Sequence, residues 1–188
     1  MTDTQPAVTP PAAGLWGHGV RLREWTAADV DVLVAGCNEP AVRRWFPHLP
    51  VPYTLERAAA WIASRPAGFA RGTDLCFAVE DPDGAVVGAA AIPRRDPANG
   101  VSEVSYWILP TARGSGYAPA AVRTLVDWAF GVLGDGRVEL MAAPENTASC
   151  RTAEKAGLTA EAVLAGREAT REGGRRDLRV YAVLATPP

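Results

Sequence analysis

Lysine is nearly absent from this 188-residue chain: Lys155 stands alone, and every other basic side chain is an arginine. Histidine is almost as scarce, with His18 and His48 the only two, and the three cysteines (Cys37, Cys76, Cys150) form no CxxC pair. No His/Cys spacing suited to a metal ion follows from such a set, and a histidine-based nucleophilic triad is a poor reading. Uninterrupted apolar runs fall well short of the ~20 residues a membrane helix needs. The N-terminus has neither the basic start nor the apolar stretch of a secretory signal, so the cytoplasm is the expected location. A net charge of -2 offers no global basic field, and direct nucleic-acid binding is not expected.

The hydrophobic share, 48%, is enough to build one core. Residues 1–14 are rich in Pro, Thr and Ala without periodicity, which predicts a disordered or loosely packed tail before a single domain spanning 15–188. Val20 to Trp25 alternates as a strand does, and Thr26 stands where a helix over Ala27–Ala35 would be capped. A Pro- and aromatic-rich passage, Trp45 to Tyr53, precedes a second helix opened by Thr54. Leu75–Glu80, Ala85–Ile92 and Val101–Leu109 then read as an antiparallel meander, with Asp81-Pro82-Asp83-Gly84 as a hairpin turn. Val122, Leu125, Val126, Ala129, Val132 and Leu133 place one apolar face on a long helix that Gly134 stops. A strand at Val138–Ala142, a short helix from Asn146 to Ala156, and one or two closing strands complete a mixed α/β pattern with helices on both sheet faces.

Between the third meander strand and the long helix lies Leu109-Pro110-Thr111-Ala112-Arg113-Gly114-Ser115-Gly116-Tyr117-Ala118-Pro119. Its glycines let backbone N–H groups turn inward, and Pro119 suits a first helical turn. Free N–H donors at the positive end of a helix favour a phosphate, and Arg113 adds charge at the mouth. The stretch lacks the Gly-Lys-Ser/Thr ending of a nucleoside-triphosphate loop. A dinucleotide fingerprint fails too, because its third glycine would fall at Pro119 and the preceding strand belongs to a meander.

Arg113-x-x-Gly116-x-Ala118 resembles the acyl-CoA signature of the GNAT N-acetyltransferases. The longer run from Glu103 to Ala118 resembles the RimJ/RimL-like branch. Asn146-Thr147-Ala148-Ser149 with Lys155-Ala156-Gly157-Leu158 is similar to that branch's following helix, with Leu158 in place of the usual Phe. Arg176 to Tyr181 also fits. The resemblance implies an α/β (α+β) single-domain GNAT fold: a mixed, mostly antiparallel sheet with a splayed central strand pair. It further implies an acetyl-CoA (or other acyl-CoA) co-substrate, no metal, and an amine acceptor, either a protein N-terminus or a small molecule. A homodimer is common in the branch.

The resemblance also implies roles for individual residues. Glu103 is the candidate base and Ser149 the candidate proton donor to sulfur. Ile108, Leu109, Arg113, Gly114, Ser115, Gly116, Tyr117, Ala118 and Asn146 are the expected donor contacts. Trp45, Phe46, Tyr53 and Trp61 are the expected acceptor wall, and Tyr106 is read as a core aromatic. Transfer of a succinyl or another acyl group, and a non-catalytic acyl-CoA-binding module, stand as the alternatives.

Overall fold

The computed structural model describes residues 7–186. Eight strands form one sheet in the order β1-β2-β3-β4-β5-β6-β8-β7. These are β1 (Leu15–Gly17), β2 (Val20–Arg23), β3 (Leu75–Glu80), β4 (Val86–Asp96), β5 (Val101–Ile108), β6 (Arg137–Ala142), β7 (Thr159–Ala169) and β8 (Arg175–Leu184). Every pairing is antiparallel except β5 with β6. The mostly antiparallel mixed sheet expected above is therefore the observed one, and both closing strands form.

The helices are α1 (Val30–Asn38), α2 (Pro40–Trp45), α3 (Leu55–Ala70), α4 (Tyr117–Trp128) and α5 (Thr147–Lys155). They divide between the two faces of the sheet because strand side chains alternate. Phe77 and Val79 of β3, Val104 of β5 and Leu140 of β6 bury with Val122 and Leu125 of α4 and Ala153 of α5. Ala78 of β3 goes to the other face, among Leu33 and Cys37 of α1 and Ala58 and Ile62 of α3. Trp107 of β5 packs against that second cluster.

Several details differ from the pattern in the sequence. The first helix begins as a 3-10 turn at Ala27–Asp29 before α1, and Asp29 bonds back to the Thr26 N–H and hydroxyl at 2.7 and 2.9 Å. The stretch between the first expected helix and the aromatic passage forms α2, with Pro40 in its first turn and the Glu39 carboxylate accepting from the Val42 N–H. β1 is a further short strand, too brief for alternation to reveal. The long helix keeps α geometry to Trp128 and widens to a π-helical turn over Ala129–Leu133 before Gly134, at φ 72°, ends it. Part of the tail, residues 1–6, lies outside the described residues. The remainder is without helix or strand but is tied down: the Val8 N–H bonds to Phe69 O at 2.9 Å, and its side chain packs on the core.

One contact fixes how closely α1 approaches the sheet. A Cβ on Gly36 would stand 2.3 Å from the Trp107 ring, so only a residue without a side chain lets α1 lie across that indole. Trp107 is further hemmed by Trp25, whose ring centroid is 6.3 Å away. Gly36→Ala is expected to lower stability by about 1–3 kcal/mol in a denaturant titration, the usual cost of overpacking, despite alanine's better helix propensity. An unchanged or raised midpoint would show that α1 is free to move away.

Candidate active site

The parallel pairing of β5 with β6 runs only from Val101/Arg137 to Val104/Leu140. Beyond it β5 continues to Ile108, while β6 stays with β8 as far as Ala142/Arg179. The two strands part and leave an opening in the middle of the sheet, the splayed pair expected above. The Leu109 N–H donates to Val87 O at 2.9 Å, which sets the alternation of main-chain groups along β5. Ser105 and Trp107 therefore turn their N–H and C=O toward β4, as Leu109 does its N–H, and Tyr106 and Ile108 turn theirs toward the opening.

At the end of the opening stands the glycine loop. Gly114 and Gly116 have φ of 86° and 83°, and a Cβ on either would meet nothing within 4 Å. Both positive φ values favour glycine, and space is open beside them. Gly116 is the residue before α4 and makes no side-chain cap, so the first N–H groups of the helix point outward at its positive end. A loop of this form fits a pyrophosphate. Tyr117 packs its ring against the main core.

Arg113 does more than lend charge. Its Nε donates to Ile108 O at 3.2 Å and its Nη2 to Glu39 at 3.1 Å. The same Glu39 carboxylate oxygen accepts from the Val42 N–H at 2.8 Å. The loop is thus tied to the start of α2, a connection that nothing local in the sequence signals.

On the far side of the opening, the Asn146 side chain accepts from the Ser149 N–H at 3.3 Å, as a helix cap does. Ser149 Oγ lies 3.2 Å from the Tyr106 hydroxyl. Tyr106, read from sequence as a core aromatic, does pack against the core, yet its hydroxyl reaches from β5 toward α5 and meets the serine. Burial pushes the Tyr106 hydroxyl above its usual range, so it keeps its proton.

Glu103 lies on the strand face shared with Ser105 and Trp107. Arg94, opposite it on β4, donates to its carboxylate at 2.9 Å. The neighbouring Arg95 is turned elsewhere: it pairs with Asp135 at 2.9 Å, where both side chains are almost fully buried and Ser102 joins them.

Beside that face lies a cavity of about 460 Å³. Three of the four aromatics expected to wall the acceptor side, Phe46, Tyr53 and Trp61, do line it. Trp45 is placed elsewhere. Its ring is covered by the guanidinium groups of Arg44 and Arg176 at 4.8 and 5.0 Å. Sequence reading also missed Leu49, Arg57, Ser105 and Trp107, which complete the wall. Asn38, at the end of α1, fixes Tyr53 by taking its N–H and donating to its C=O. Cys37 and Cys76 face the cavity too, and burial pushes both thiols up to about 12, so they stay protonated. Among the described residues no group of three or more His, Cys, Asp or Glu could hold a metal ion.

A sheet parted at its centre, a phosphate-receptive loop at the mouth and an apolar chamber beside the gap define an acyltransferase that takes its donor from coenzyme A. Residues 20–159 match the acetyltransferase (GNAT) domain, and the chain belongs to that family. It is an acetyl-CoA-dependent acetyltransferase. The uncharacterized N-acetyltransferase p20 of Bacillus licheniformis is 25% identical over 151 residues, 80% of this chain and 84% of that protein. Among solved structures, RimL, the ribosomal L7/L12 α-N-protein acetyltransferase, in complex with coenzyme A, superposes with TM-score 0.80 at 16% identity, covering 92% of this chain and 97% of that one. The spermidine N-acetyltransferase of Vibrio cholerae, with CoA and spermine, gives TM-score 0.75 at 18% identity, over 88% and 95% respectively.

The β7–β8 hairpin braces the segment that carries Phe46 and Leu49 from outside the cavity. Arg176 donates to Arg44 O at 2.9 Å and Trp45 O at 3.3 Å, the last carbonyls of α2, and Arg171 donates to Leu49 O at 2.7 Å. Arg176→Ala is expected to cost about 1–3 kcal/mol, the range for charged hydrogen bonds, and to speed amide exchange across α2. Unaltered exchange at Val42 to Trp45 would show that the hairpin does not hold this helix.

Proposed function

We propose that the chain acetylates a primary amine, either a protein N-terminus or a small molecule, by direct attack of the neutral amine on the thioester. The observation carrying this reading is that the opening between β5 and β6 has the glycine loop at one end and the Glu103 face with its cavity beside it. In this reading the N–H groups from Gly114 through Ala118 hold the pyrophosphate, with Gly114, Ser115, Gly116 and Tyr117 shaping the turn, while the Arg113 N–H is taken by Pro110 O and its side chain braces the loop. Ile108 offers main-chain groups to the pantetheine arm. Leu109 supports that edge by its bond to Val87 O, and Asn146 completes the contact.

Glu103 accepts the proton of the attacking amine, directly or through one water, while Arg94 holds its carboxylate. Ser149 gives a proton or a hydrogen bond to the departing sulfur, and Tyr106, 3.2 Å behind it, donates a hydrogen bond that orients the serine. Phe46, Tyr53 and Trp61 receive the acceptor, with Trp45 buttressing the wall from outside. The transferred group in this reading is acetyl, and Arg94 and Arg95 are both engaged by carboxylates.

The proposed organisation is a tail over residues 1–14 and one domain over 15–188. A homodimer in the cytoplasm, without nucleic acid or membrane, completes the proposal. Among the described residues no helix is long and apolar enough to cross a membrane.

Two substitutions test the assignment. Gly116→Glu places a negative side chain where the pyrophosphate is proposed to sit, and is expected to raise the Kd for acetyl-CoA about a hundredfold, ~2.7 kcal/mol, in calorimetry. Retained affinity in a folded variant would move the donor site elsewhere. Glu103→Gln is expected to lower kcat by about 10²–10³ and leave the acetyl-CoA Kd alone. Unchanged turnover would remove Glu103 as the base, and tight acetyl-CoA binding without turnover of any amine would favour a non-catalytic module.

A further inference from the structure

The cavity beside Glu103 is unlike a site for a polyamine. Its floor comes from Ala89 and Ala91 of β4, where larger residues would fill the space, while the Ala90 side chain between them is buried in the core on the other face. The wall opposite is aromatic and aliphatic, and no carboxylate lines it. Arg57, near the start of α3, is the one charged residue in the lining, so the chamber meets a second cationic group with a like charge. An ammonium buried there would lack a partner, and burial of an unpaired charge is strongly disfavoured. The volume, about 460 Å³, is in the range of small-molecule sites. The hairpin arginines that bond to Arg44 O, Trp45 O and Leu49 O brace the segment carrying Phe46 and Leu49, so this side of the chamber is held in place.

We infer that the acceptor is a small monoamine with a bulky apolar body, an arylalkylamine or branched alkylamine, seated in this cavity with its nitrogen toward Ser105 and Glu103. The inference rests on the proposed acetyl transfer and names its acceptor class. The apolar body displaces water from the alanine floor and the Trp61 and Trp107 rings. Desolvation beside Arg57 lowers the basicity of the amine, so that more of it is in the neutral, nucleophilic form. The protonated hydroxyl of Tyr53, whose pKa burial raises to about 12, remains a donor to the acceptor's polar atoms. After attack, the new C–N bond replaces the C–S bond of the thioester, the amine proton passes to Glu103, and coenzyme A leaves as the thiolate, met by the Ser149 hydroxyl.

The test measures binding apart from turnover. Trp61 and Trp107 line the cavity, so quenching of tryptophan fluorescence reports amine binding to the protein without acetyl-CoA. 2-Phenylethylamine is expected to bind at least about tenfold more tightly than spermidine or than a peptide with a free N-terminal serine. Ala91→Leu, which adds bulk to the floor, should weaken 2-phenylethylamine about tenfold without altering the Kd for acetyl-CoA. Arg57→Glu, at an exposed helix position, should shift the preference toward spermidine. Equal or better binding of spermidine or the peptide, or indifference of 2-phenylethylamine to Ala91→Leu, would overturn the inference. A mass measurement of acetylated amine tests the transferase reading separately: loss of acetyl transfer with the amine preference intact would fault that reading and leave the cavity assignment standing.

Discussion

The organisation of the molecule depends on a hydrogen-bond ladder that stops. β5 and β6 pair as parallel strands for four residues each and then separate after Val104 and Leu140. Strand main-chain groups cannot be left without partners in a dry interior, so the gap must be open to solvent or to a ligand. The separation is sustained from both sides. β5 is held by β4 and by the Leu109–Val87 bond, and β6 by β8, whose register with it runs unbroken from Arg137 to Ala142. With both neighbours fixed, the strands cannot zip closed, and the Tyr106–Ser149 contact bridges the gap with side chains instead.

α2 connects the two halves of the site. It has six residues, too few to be stable alone, and is secured at both ends by arginines from distant segments. Arg113 of the glycine loop grips Glu39 at its start, and Arg176 of the hairpin takes the carbonyls of Arg44 and Trp45 at its end. The acceptor wall at Phe46 and Leu49 follows directly from this helix. Donor loop and acceptor wall therefore share a mechanical element, through guanidinium groups whose planar fork suits such bridging.

Local chemistry was legible in the sequence and remote geometry was not. The glycine loop, the Asn146 cap and the 3.6-residue pattern of α4 are each written within a dozen residues, and the structure has a loop, a cap and a helix at those places. Three of the four aromatics could be placed at the cavity because the first two helices of the family that the sequence resembles cover that side. α2 was hidden because Pro-Ala-Val-Arg-Arg-Trp shows no apolar period and its stability is tertiary. Trp45 read like its neighbours, but its position is set by Arg176, which lies far along the chain. Tyr106 looked like core and is partly that. Only the crossing from β5 to α5 shows that its hydroxyl has an errand at the gap.

The arginine bias has a consequence for a catalyst that handles a reactive thioester. Every cation clamping this site, from Arg94 and Arg113 to Arg171 and Arg176, is a guanidinium. Such groups stay protonated at any physiological pH and have no free lone pair to offer an acyl carbon. Lys155, exposed at the last turn of α5, is the sole side-chain amine in the chain. The scaffold is thus almost inert to the reagent it carries, and its structural charges cannot be erased by stray self-modification.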